Sequence, residues 1–68
     1  LEYTAQKGSR VTKQQVKDLN FPKNAIIASV SRGKDAFIAV GNTQIEDFDK
    51  VVVFALPGSS DEVDKFFK

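Results

Sequence analysis

The sequence predicts an α+β domain: a small, mostly antiparallel sheet with a short N-terminal helix and a closing C-terminal helix. Three observations predict it. Apolar, β-branched stretches run from Ala25 to Arg32, from Ala36 to Val40 and from Lys50 to Leu56, as strands require. The first two are separated only by Gly33, Lys34 and Asp35, a connection too short for anything but an antiparallel hairpin. Helix-start signals stand at Thr12 and Ser59, each followed by apolar residues at helical spacing. In 68 residues these elements form a single domain spanning 1–68.

The elements follow in order along the chain. Leu1, Tyr3 and Ala5 alternate with polar residues, the pattern of a short half-buried strand. Lys7, Gly8 and Ser9 make a turn. Thr12 and Gln15 have capping-box spacing, and Val11 and Val16 have that of a hydrophobic staple. A helix is therefore expected to carry Val16 and Leu19 on one face and to end near Asn20, because Pro22 disfavours helical backbone before it. In the strand from Ala25, simple alternation groups Ile26, Ala28 and Val30 on one face and Ile27 and Ser29 on the other. Gly41 and Asn42 form a turn, Thr43 to Ile45 a brief extended piece, and Glu46 to Asp49 an acidic loop. Lys50 to Leu56 is almost continuously apolar and is expected to be the most buried strand. Pro57 and Gly58 stop it. Ser59 with Glu62 then caps a last helix, whose Val63, Phe66 and Phe67 pack on the sheet.

A chain of this size buries only about 60% of the surface it exposes when unfolded, so a tight core or self-association is needed. With no Cys and no His, disulfides and the common zinc ligand sets are excluded. The usual Ser–His and Cys–His catalytic pairs are excluded too, and the expectation is a protein that is not an enzyme. The chain has no Met and opens at Leu1, which leads to the expectation of a C-terminal piece of a longer protein. No apolar run has the length of a membrane span.

Charge divides unevenly. Residues 1–34 hold seven basic and two acidic residues, and residues 35–68 hold three basic and seven acidic. The basic residues are scattered and not interleaved with aromatics, so nucleic acid is not an expected partner. Glu46, Asp47 and Asp49 form a carboxylate cluster, but they lack calcium-loop spacing and read as an acidic turn between strands. The dispersed glycines fit turns and match no phosphate-binding pattern. Arg32, ending an apolar strand beside a turn, could pair with a phosphate or with a carboxylate across an interface. Ile26 and Ile27 point to opposite faces, so a one-sided sheet leaves one of them exposed unless a partner or ligand covers it.

The string from Arg32 to Pro57, RGKDAFIAVGNTQIEDFDKVVVFALP, follows Leu19-Asn20-Phe21-Pro22-Lys23 and Ile26-Ile27. Together they resemble the TrkA-C domain, the C-terminal lobe of regulators of potassium conductance in Trk-type uptake systems. The similarity covers nearly the whole chain, with departures at three turn positions, Val40, Asn42 and Phe48. It implies a cytoplasmic regulatory module at the inner face of the membrane, itself not inserted, that partners a Rossmann lobe and a membrane potassium transporter. It also implies a homodimer. In some members cyclic di-AMP sits in the groove between two copies, and the matching positions here are Ile26 and Ile27 for base contact and Arg32 for a phosphate. NAD or ATP is implied only on the neighbouring lobe. The alternative is a homodimerisation or scaffold module with no small ligand.

Overall fold

The computed structural model describes all residues from Leu1 to Lys68. Its four strands are β1 (Glu2–Thr4), β2 (Ala25–Arg32), β3 (Asp35–Ile38) and β4 (Lys50–Ala55), and one helix, α1 (Ser60–Phe66), closes the chain. All pairings are antiparallel, in the order β1-β4-β2-β3. The α+β class and the β2–β3 hairpin are as expected. Gly33 turns that hairpin at φ +59°, a left-handed conformation that suits glycine.

One face of the sheet carries the core. Val30, Val51 and Val53 are fully buried there, beneath Val11, Leu19, Ile45, Val63, Phe66 and Phe67. As expected, the three apolar residues of α1 and its C-terminal neighbour pack inward. Tyr3 stacks on Phe67 at 4.5 Å between ring centroids, and Phe21 meets Phe66 edge-on at 4.9 Å. The guanidinium of Arg10 lies 4.1 Å above the Phe66 ring. These aromatic contacts tie the helix end to β1 through Tyr3 and to the segment between β1 and β2 through Arg10 and Phe21.

The N-terminal helix expected after Thr12 does not form. Two isolated 3₁₀ turns, Arg10–Thr12 and Val16–Asp18, take its place. Thr12 turns its hydroxyl back to the Ser9 carbonyl at 2.7 Å and caps nothing. The amides a helix would use internally go elsewhere: Val16 N–H donates to Thr43 O and Lys17 N–H to Gly41 O. Tertiary partners thus outcompete local propensity. Val11 and Leu19 still reach the core, and Val16 is half-buried against it.

Two further expectations are corrected. Ser59 does not cap α1 with its side chain. Its buried hydroxyl donates to the Leu56 carbonyl instead, closing the Pro57–Gly58 turn. The faces of β2 are also not those of simple alternation. Ile27 pairs with Val53, but Ser29 pairs with Val52, leaving Ala28 between them as a bulge. A bulge reverses the alternation from that point. Ile27 and Val30 therefore both lie on the core face, whereas Ile26 faces outward opposite Phe54. The β4 run is likewise one-sided, with Val51 and Val53 buried and Lys50 and Phe54 exposed.

Tyr3 links the first strand to the helix by donating its hydroxyl to Asp64 Oδ1. Burial, the hydrogen bond to Asp64 and the Asp64 charge push its pKa up to about 12. The unfolded chain ionises nearer pH 10, so this contribution is complete below pH 10 and is lost as pH rises toward about 12. Urea unfolding of Tyr3→Phe should show a shallower loss of stability across that alkaline range than the wild type.

Candidate functional site

Two features answer to the residues singled out by sequence, and they lie at opposite ends of the sheet. The first surrounds Arg32, the last residue of β2. Its Nε donates to Asp49 Oδ1 at 2.9 Å and its Nη2 to Asp49 Oδ2 at 2.7 Å, a bidentate fork. Nη2 also donates to the Gln44 carbonyl at 3.0 Å, and Nη1 lies 3.3 Å from Glu46 Oε2. The guanidinium carbon stands 5.3 Å from the centre of the Phe37 ring. The carboxylate that an arginine at this position was expected to seek is therefore supplied by the chain itself.

Asp49 is only 2% exposed. Burial alone pushes its pKa up, but the Arg32 hydrogen bonds, the Glu46 N–H and the Arg32 charge outweigh this and hold it below the usual carboxylate range. The hydrogen bond with Asp49 likewise raises the Arg32 pKa, against a smaller opposing effect of burial. The other carboxylates of the acidic loop are separately engaged: Glu46 with Arg32, and Asp47 Oδ1 with the Gly8 N–H at 3.0 Å. This cluster is a brace between β2 and the 44–49 segment.

The second feature is an apolar depression of about 310 Å³ beyond the other end of β4, lined by Ala25, Ile26, Phe54, Ala55 and Leu56, with Lys23 and Asn24 at its rim. Ile26, Phe54 and Leu56 are exposed. The three residues that sequence placed at one ligand site thus separate within a single chain. Ile26 lines the depression, and Ile27 is half-buried against the core on the opposite face. Arg32 is six residues further along β2, about 20 Å at strand rise.

Sequence reasoning missed Asp49 as the partner of Arg32, and Phe54 and Leu56 as open surface. The signal for Asp49 was its position one residue before a buried strand, where a carboxylate needs a partner. For Phe54 it was the sheet's one-sidedness, which exposes alternate residues of even an apolar run.

Removing Arg32 leaves a buried carboxylate unpaired. With the Arg32 side chain 35% exposed, water offsets part of the loss, and Arg32→Ala should cost about 2 kcal/mol in urea unfolding. Because the folded pKa of Asp49 is depressed, its contribution is present above the unfolded value near pH 4 and is lost as pH falls through the folded value. Asp49→Asn should accordingly flatten the acid limb of the stability profile, measured from pH 5 downward.

The family model described as the TrkA-C domain matches residues 1–68. The "Trk system potassium uptake protein TrkA homolog 1" of Methanosarcina mazei is 38% identical over all 68 residues, and homolog 2 of the same organism is 35% identical over the same span. The TrkA homolog of Archaeoglobus fulgidus is 34% identical over 62 residues, 91% of this chain. The chain spans about 15% of the length of the Methanosarcina relatives and 14% of the Archaeoglobus one. A match from the first residue to the last makes this chain a member of the TrkA-C domain family.

Proposed function

We propose that this chain is the regulatory, self-associating lobe of a potassium-uptake assembly, and that it acts by coupling, without bond-making chemistry. The observation that carries this reading is the open face of the sheet. Ile26, Ile38 and Phe54 stand there at 60%, 75% and 63% exposure. Large apolar side chains gathered on one sheet face suit a second copy laid against them across a two-fold axis. The relatives named as Trk potassium uptake proteins supply the transport context.

In this reading the lobe works in the cytoplasm beside a membrane potassium transporter, joined to a Rossmann lobe where NAD or ATP would bind. Two copies have more than one relative arrangement, and whatever favours one of them biases the transporter. A tenfold effect needs only about 1.4 kcal/mol of preference between arrangements. The finer proposal is that a cyclic dinucleotide such as cyclic di-AMP supplies that preference in the groove between copies. Ile26, exposed beside the cationic rim of Lys23, would meet a base. Arg32 would reach a phosphate only by exchanging Asp49 for it, one anion for another. Ile27, on the core side, would act through Ile26's backbone placement and not by contact. A homodimerisation or scaffold module with no ligand is the alternative.

Sedimentation equilibrium tests the assembly. Ile38→Glu, a change at an exposed side chain, should weaken face-to-face pairing at least tenfold. Calorimetric titration with cyclic di-AMP tests the ligand. Saturation near one dinucleotide per two chains, lost in Ile26→Ala, is expected. An absence of heat from a sample that is still dimeric leaves the scaffold reading standing.

A further inference from the structure

Phe48 breaks a backbone rule. It has φ +71°, the left-handed region that a bulky L-residue enters only under strain. It is the third residue of a turn closed by Asp49 N–H donating to Glu46 O at 3.1 Å, where positive φ ordinarily calls for glycine. Phe48 N–H also donates to Ala5 O at 2.7 Å, and Ala5 N–H to Asp49 O at 2.8 Å. Two residues thus oppose one, in the bulge whose first position is usually glycine. The side chain gains little inside its own chain to offset this, being 65% exposed.

The loop that carries it is stiff. Asp47 is tied to Gly8 and Asp49 to Arg32 and the Glu46 amide. An aromatic ring held on a rigid loop in a strained conformation, and left in water, has the character of an interface anchor. A socket for it lies on the same molecule. The apolar depression of Ala25, Ile26, Phe54, Ala55 and Leu56 has room for a phenyl ring at about 310 Å³. Charge also matches, since exposed Glu46 and Asp47 precede the ring and Lys23 stands at the rim of the socket. Ring and socket are at opposite ends of β4, about 20 Å apart at strand rise, so they cannot meet within one chain.

We propose that Phe48 of one copy seats in the Ile26–Phe54–Leu56 depression of the next, making a head-to-tail contact between copies. This contact is heterologous; it does not rest on the face-to-face pairing proposed above and competes with it, since both cover Ile26 and Phe54. It occupies the same depression that a nucleotide base would use, so ligand and neighbouring copy exclude each other.

The test uses the full chain carrying Ile38→Glu, which removes face-to-face pairing at a residue outside the depression. Sedimentation equilibrium of that protein should show residual association. Adding Phe48→Gly should weaken the residual association at least tenfold while leaving the protein at least as heat-stable, because glycine relieves the left-handed backbone. Adding Phe54→Glu in its place should weaken association equally by putting an acid in the socket. An equimolar mixture of the two double variants should then form a one-to-one complex, since one retains the socket and the other the ring. The proposal is overturned if the mixture is no heavier than its separate components, or if Phe48→Gly associates as the Ile38→Glu parent does. Association of the Ile38→Glu protein equal to wild type, with Phe48 dependence intact, would instead remove the face-to-face reading and keep this one.

Discussion

A carboxylate at 2% exposure has to be neutralised by something the fold provides, and at Asp49 that something is Arg32, seventeen residues earlier at the far end of a strand. The pair does more than satisfy two charges. Asp49 also accepts the Glu46 amide, and its own carbonyl accepts the Ala5 amide, so the same residue closes the acidic turn and joins it to the end of β1. Arg32 extends the arrangement to the Gln44 carbonyl and the Phe37 ring. The 44–49 segment, which has no regular secondary structure before β4, is positioned by polar contacts that the core could not supply. Ile45, fully buried within it, is the apolar counterpart of that brace.

The bulge at Ala28 decides which isoleucine the molecule shows to its surroundings. Without it, Ile26 would share a face with Val30 and enter the core, and Ile27 would be outside. With it, the outer face near the end of β2 gains Ile26 beside Phe54, and the depression exists because of that pairing. One unpaired residue in a ladder thus sets the chemistry of a surface patch.

Much of the fold was legible in the residues. Strand positions followed from β-branched runs and turn residues, the hairpin from a three-residue connection, and the packing of α1 from Val63, Phe66 and Phe67. Most of what was not legible shares one cause. The helix after Thr12 was lost to carbonyls of residues 41 and 43, and the freedom of Arg32 to Asp49. Both depended on partners distant in sequence, which neither periodicity nor capping patterns can reveal. The cap at Ser59 was lost locally, to the Leu56 carbonyl three residues back. Of the candidate site, Ile26 was legible as an exposed apolar residue only through the argument that a one-sided sheet leaves something uncovered. Phe54 was hidden by the same run of apolar residues that identified its strand.

The order β1-β4-β2-β3 places the last strand between the first two, so Glu2 pairs with Val52 and the terminal amine of Leu1 reaches the carbonyl of Val53. Such pairing has a kinetic meaning. The local β2–β3 hairpin can form early, but two strands alone are marginal in water, and bringing β1 to β4 closes a loop over residues 5–49. Folding is therefore governed by distant contacts and belongs to the slower class of small domains. On a ribosome β1 would wait, unpaired, until β4 had emerged.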